Sequence, residues 1–318
     1  MASTDLRVLL LGILLGPSAS ISKMSSKQIV KLQEREFTHN RVTDFMFGSK
    51  AEGVSIEDKT IEGPGGDLPL RIYRTGATGA PLVVFFHGGG FVLGSLGVND
   101  ALCSKVSAAT GAVVVSVGYR LAPVHPFPAA VDDSYAALLW AAEHAEELGA
   151  DAQRLGVMGD SAGGNLAAVM CLLARDRSGP KIRHQALIYP VPDLSVAASA
   201  RRPDVKNPIL STAELESFRK HYFYGQPPEA ADDPRASPQL AEDHRGLPPA
   251  LIQVAEQDPL CQDGQHYAET LRAAGVPVRI TEYAGMPHGF LGFPRFCKEA
   301  PNALAELCTE LTSALNAQ

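Results

Sequence analysis

The feature that most restricts the folds open to this 318-residue chain is a succession of short, continuously apolar runs separated by helical patterns. The runs are LVVFF (82–86), AVVVSVGY (112–119), LGVMG (155–159), ALIYPV (186–191), ALIQVA (250–255) and VRITEYA (278–284). Helix-like stretches such as AAVDDSYAALLWAAEHAEEL and SAGGNLAAVMCLLARD lie between most of them. An unbroken apolar run of about four to eight residues fits a strand buried on both faces. Buried strands alternating with helices imply a mostly parallel sheet covered on each side. Ahead of them, VSIEDKTI and LPLRIYR flank the turn GPGGD and read as an antiparallel pair. The expectation is an α/β fold with an eight-stranded, mostly parallel sheet. Residues 192–247 break the rhythm: they are rich in Pro and charge, with a helical piece near STAELESFRKHYF, and read as a helical insertion over the top of the sheet.

Bulk properties narrow the function. A net charge of −7, with no Lys/Arg cluster, argues against a nucleic-acid partner. Cys103, Cys171, Cys261, Cys297 and Cys308 are odd in number and scattered, which suits reduced thiols better than a disulfide framework. No Cys/His pair has zinc-ligand spacing, so no metal is expected. Near the N-terminus, Arg7 followed by VLLLGILLG and PSAS has the outline of a secretory signal, yet Asp5 sits in its n-region and the run is too short to span a bilayer. A structural helix capped by Ser3–Thr4–Asp5 and ended by Gly16-Pro17 is the favoured reading, with the signal as the alternative. A second helix is expected near Lys27–Arg35.

In open α/β sheets, ligands bind outside the carboxyl ends of the strands, so the loops after the runs carry the chemistry. After LVVFF comes His87-Gly88-Gly89-Gly90-Phe91. Glycines let backbone N–H groups approach a ligand closely, as an oxyanion hole requires. A dinucleotide loop fails because the third glycine, Gly94, falls one position late. A P-loop fails because Gly164 is followed by Asn165. After LGVM comes Gly159-Asp160-Ser161-Ala162-Gly163 and then a helix, the strand–turn–helix context of a nucleophile elbow. There the serine takes a strained backbone, and the Ala162 N–H offers a further oxyanion donor. Asp258-Pro259-Leu260 and His288-Gly289-Phe290 follow the last two runs. The order Ser, acid, His is that of α/β-hydrolases. Ser161 is read as the nucleophile, His288 as the base and Asp258 as the acid. Asp263 is the rival acid, read instead as the cap of a helix over Gly264–Ala274.

HGGGF, YRLAP-x-x-PFPAA (119–130), GDSAGGN, DPL-x-x-x-G and HGF together resemble the bacterial hormone-sensitive lipase family of carboxylesterases, over nearly the whole chain. The resemblance implies an α/β-hydrolase core over 51–191 and 248–318. It also implies a cap built from the N-terminal helices (1–50) and the 192–247 insertion. It assigns Ser161, Asp258 and His288 to a triad, Gly89, Gly90 and Ala162 to the oxyanion hole, and Gly88 to shaping the loop. No cofactor is implied, and a cytoplasmic protein is favoured. Two positions depart from the family pattern: Val124 stands where a glutamate is usual, and Cys261-Gln262 replaces a charged pair.

Other residues are weighed against plainer roles. Asp160, Asp132 and Asp133 are expected to hold loops or cap helices, and His87 to brace the oxyanion loop. His221, His244 and His266 are expected at the surface. Phe91, Tyr189, Leu210, Phe218 and Phe290 are candidates for an acyl or alcohol pocket, with ordinary packing as the alternative. Cys261, near the acid, is a candidate oxidation site. The expected partner is a small ester with short to medium acyl chains; an amidase, lactonase or arylformamidase would use the same triad. A non-catalytic binding module, as in the plant gibberellin receptors, is disfavoured by the presence of His288. An exposed edge strand near 278–284 would permit a homodimer.

Overall fold

A computed structural model of the chain describes residues 6–15, 20–202, 205 and 207–317. The expected cap residues Ser3–Thr4–Asp5 and the Gly16-Pro17 stop lie outside them. Eight strands form one sheet: β1 (Ser55–Gly63), β2 (Gly66–Arg74), β3 (Ala80–Phe86), β4 (Val113–Val117), β5 (Ala150–Asp160), β6 (Ile182–Ile188), β7 (Ala250–Gln257) and β8 (Val278–Pro287). Their order is β1-β2-β4-β3-β5-β6-β7-β8. The first two strands pair antiparallel to each other, and β2 pairs antiparallel to β4. All remaining pairs are parallel. The α/β-hydrolase architecture expected from the sequence is therefore present. β3 and β5 lie side by side although β4 separates them in the chain, so the winding direction reverses between them. A crevice opens at such a reversal, beyond the carboxyl ends of the two strands.

The apolar runs are continuous because both faces of the sheet are covered. Along β3, Leu82, Val84 and Phe86 enter one core layer while Val83 and Phe85 enter the other, the period of two expected of a strand. The first layer is closed by helices α5 (Ala129–Glu143), α6 (Ala162–Asp176) and α8 (Cys261–Ala273), through residues such as Leu138, Leu166 and Leu271. The second is closed by α4 (Asp100–Thr110) and α9 (Ala300–Asn316), through Val106, Leu307 and Leu311. Each fully buried aliphatic side chain contributes about 1.5–3 kcal/mol.

Some boundaries differ from the sequence reading. β5 begins at Ala150, five residues before the expected run at Leu155 (155 − 150), because Ala150 and Asp151 already pair with Ala80 and Pro81. β6 ends at Ile188, since Tyr189 turns to a φ of 35°. Among the described residues of 192–247 the helical content is one α-helix, α7 (Thr212–Tyr222), and isolated 3-10 turns. A capping box starts α7: the Glu214 N–H donates to Ser211 Oγ at 3.2 Å, and the Glu214 carboxylate accepts from the Ser211 N–H. N-terminally, α1 (Leu6–Leu15) buries Val8 and Leu11, and α2 (Ser26–Gln33) is the helix expected near Lys27–Arg35. A further helix, α3 (Arg41–Phe47), went unread; its signal is Asn40, which caps it by accepting from the Val42 and Thr43 amides.

His221 and His244 are buried rather than on the surface, while His266 is exposed as expected. His244 Nε2 donates to the Pro238 carbonyl at 2.8 Å, a partner supplied by a neighbouring turn. His184 on β6 is also buried, and neither ring nitrogen finds a hydrogen-bond partner among the described residues. Burial lowers its pKa from 6.5 to about 4. The unfolded chain therefore takes up a proton below about pH 6.5 that the folded chain refuses until about pH 4. Across that window, acid favours unfolding. Relative to wild type, His184→Leu should gain roughly 3 kcal/mol of stability between pH 7 and pH 4. Urea unfolding at the two pH values measures this, and parallel losses in both proteins would refute it.

Candidate active site

The loop after β3 brings three glycines to the crevice. The Gly88 N–H donates to Asp160 Oδ1 at 2.8 Å, and a Cβ at Gly88 would collide with that carboxylate. Gly89 and Gly90 adopt φ values of 114° and 61°, conformations open to glycine at little cost. The Gly89 carbonyl accepts from the Val92 and Leu93 amides at 3.1 and 2.8 Å, which fixes the turn. His87 braces the same loop. Its Nδ1 donates to the Gly88 carbonyl at 2.8 Å, and its ring stacks on Tyr119 at 4.2 Å. The Tyr119 hydroxyl donates to the His87 carbonyl at 2.7 Å, giving the first residue of the YRLAP motif a structural task. Burial holds His87 neutral, with its pKa lowered to about 4. It also pushes the Asp160 carboxyl up to about 6, against the pull of the Gly88 N–H.

The turn between β5 and α6 sets Ser161 at φ 55° and ψ −117°, a strained backbone for a residue with a Cβ. The Ser161 N–H donates to the Ile188 carbonyl at 2.8 Å. A Cβ at Gly163 would strike the Phe86 carbonyl at the end of β3, so no other residue type fits there without backbone movement. Ala162 is the first residue of α6, where an N–H has no acceptor within the helix and the helix dipole favours negative charge.

The loops after β7 and β8 complete a hydrogen-bonded chain. His288 Nε2 lies 2.8 Å from Ser161 Oγ, and His288 Nδ1 lies 2.7 Å from Asp258 Oδ2. Asp258 is fully buried; its other oxygen accepts from the Leu260 N–H at 2.8 Å. The Tyr189 ring packs on the imidazole in an edge-type arrangement with centroids 4.9 Å apart. Such a chain can transfer the serine proton to the imidazole while the carboxylate holds the ring tautomer.

Asp263 is not brought into this chain, and it is not a helix cap. α8 starts three residues earlier than expected, at Cys261, with Leu260 as the capping residue. Asp263 instead accepts from Arg201 Nε at 2.8 Å, in an ion pair closed to solvent on both sides. Asp133 holds Arg120 through several hydrogen bonds, whereas Asp132 carries a carboxyl raised by burial. Val124 is exposed. Burial pushes the Cys261 thiol up to about 12, which suppresses the thiolate that oxidation requires.

Ser161, His288 and the glycine loop open onto a cavity of about 970 Å³. Of the five residues proposed for its wall, Phe91, Tyr189, Leu210 and Phe218 line it; Phe91 also stacks on Tyr222 with centroids 3.9 Å apart. Phe290 does not line it. Its ring is fully buried behind Tyr189, against Tyr283. Lining residues the sequence reading missed include Ile21, Leu194 and Leu215. Leu215 was within reach, being on the apolar side of a helix already suspected; Ile21 carries no local signal. Among the described residues no group of three His, Cys, Asp or Glu side chains could hold a metal ion, and no helix is long and apolar enough to cross a membrane.

Sheet order, elbow and glycine loop define an α/β-hydrolase, and comparison with known proteins agrees. The chain belongs to the α/β-hydrolase fold family, whose profile matches residues 83–292. It is similar to the carboxylesterase NlhH of Mycobacterium tuberculosis, with 42% identity over 83% of this chain and 84% of that protein. It is similar also to the carboxylic ester hydrolase LipN of the same organism, 46% identical over 75% of this chain; that match spans 65% of LipN, less than two thirds of its length. Among solved structures, the hyperthermophilic esterase of Pyrobaculum calidifontis superimposes with a TM-score of 0.83 at 36% identity, covering 98% of each chain.

Proposed function

We propose that this chain is a serine carboxylesterase acting through Ser161, His288 and Asp258. The observation that carries the reading is the unbroken Asp258–His288–Ser161 hydrogen-bond chain at the base of the cavity. Ser161 attacks the ester carbonyl while His288 accepts its proton, and Asp258 stabilises the imidazolium. The amides of Gly89, Gly90 and Ala162 bind the developing oxyanion, each donor contributing roughly 3–4 kcal/mol to the transition state. His288 then protonates the leaving alcohol, and water repeats the sequence on the acyl-enzyme. Gly88 and Asp160 hold the donors in place. The N-terminal segment (1–50), which contributes Ile21 to the cavity wall, and residues 192–247, which contribute Leu210 and Phe218, serve as a cap. β8 ends the sheet order, and its free edge is where a second copy would pair. Five buried, unlinked cysteines fit a reducing, cytoplasmic setting.

The cavity volume is within the span of small-molecule sites, which favours a short- to medium-chain ester over a lipid surface. Hydrolysis of p-nitrophenyl esters from acetyl to palmitoyl should therefore peak at short or medium chains. A maximum at palmitoyl would reverse the chain-length assignment. Turnover of matched amides or lactones with none of the esters would move the substrate class to those compounds.

A further inference from the structure

One arm of the cavity is unlike the rest. Val98, in the turn before α4, and Ala101, Leu102 and Lys105 recur at i, i+3, i+4 and i+7, so they share one helical face, and all four line the cavity. Across from them, α9 contributes Ala300 and Leu304. Apart from Asn99, which also lines it, the arm is apolar until Lys105, which stands about 4.5 Å further along the α4 axis than Leu102. Its Nζ lies beside Gly48, the residue ending α3.

That lysine is half-buried, and burial lowers the pKa of its ammonium. No carboxylate pairs with it among the described residues. Asp100, at the start of its own helix, is occupied by Arg71, Tyr73 and His39. The other cations on the cavity differ: Arg201 and Arg219 are engaged with protein acceptors, and Lys23 is exposed. A desolvated cation without a partner costs free energy that a substrate anion would restore.

We propose that the α4–α9 arm receives the distal end of an ester bearing a terminal carboxylate, with the Lys105 ammonium as its counter-charge. This rests on the ester-hydrolase reading above. The substrates are then half-esters of dicarboxylic acids, or acyl esters of ω-hydroxy acids. Hydrolysis cleaves the acyl C–O bond: hydroxide from water joins the acyl carbon and a proton joins the departing alcohol oxygen.

The test compares kcat/KM within pairs of matched length. Mono-p-nitrophenyl adipate and suberate are set against methyl-terminated p-nitrophenyl esters, and ω-carboxyalkyl acetates against alkyl acetates. In at least one series, Lys105→Met should lower the anionic-to-neutral ratio tenfold or more. Lys105→Glu should lower it further, and Lys105→Arg should retain it. Each ratio is taken within one preparation, so loss of folded protein cancels. A ratio unchanged by Lys105→Met in both series overturns the proposal. Absence of wild-type turnover on neutral and anionic esters alike would instead remove the ester-hydrolase reading, and the proposal with it.

Discussion

Replacing Ser161 by alanine should reduce turnover by roughly 10⁶-fold, to the level left by the oxyanion donors and binding alone. The fold should survive. Alanine keeps a Cβ, so the φ of 55° is no more strained than before, and the Ser161 N–H that reaches the Ile188 carbonyl belongs to the backbone. What disappears is the hydroxyl 2.8 Å from His288 Nε2. Steady-state assays on an uncontaminated preparation, with a thermal melt alongside, separate the two quantities. Activity within a hundredfold of wild type would mean that Ser161 is not the nucleophile; a collapsed melt would leave the kinetics without meaning, and a fluorophosphonate label on wild-type Ser161 would then decide.

The second large effect distinguishes the two candidate acids. Asp258→Asn should lower kcat by roughly 10⁴-fold, because an amide facing His288 Nδ1 favours the wrong tautomer and cannot stabilise the imidazolium. Asp263→Asn should leave kcat within tenfold. Its cost is in stability: Arg201 would remain buried beside a neutral partner, a loss on the order of 3–5 kcal/mol. Chemical denaturation and initial rates on both variants give the comparison. A large rate loss in Asp263→Asn with little in Asp258→Asn would exchange their roles.

The difference between these aspartates also shows where sequence reasoning reaches its limit. Asp258 follows a strand that is buried from Ala250 to Ala255 and apolar there except for Gln253, so its loop could be placed from that run alone. The start of α8 could not. The residue accepting the Leu260 amide is Asp258 itself, while Cys261 and Gln262 carry no capping signal. Asp263 resembled a cap because its real partner, Arg201, is 62 residues away. The same holds for His244, whose burial depends on a carbonyl in a nearby turn, and for Phe290, whose place behind Tyr189 is set by tertiary packing. β5 was begun too late because Asp151, Gln153 and Arg154 interrupt any apolar run, although pairing with β3 starts at Ala150. HGGG and GDSAG were readable for a different reason: the backbone tolerates so few residue types there that the constraint is written locally.

The order of the strands bears on when such a site can come into being. Ser161 and the glycine loop belong to β5 and β3 at the middle of the sheet, whereas His288 follows β8, the strand at its far edge. A chain emerging from the ribosome presents Ser161 more than a hundred residues before His288, since 288 − 161 is 127. Pairings so distant in sequence are slow to form. On the proposed triad, Ser161 lacks its base until the last strand has docked.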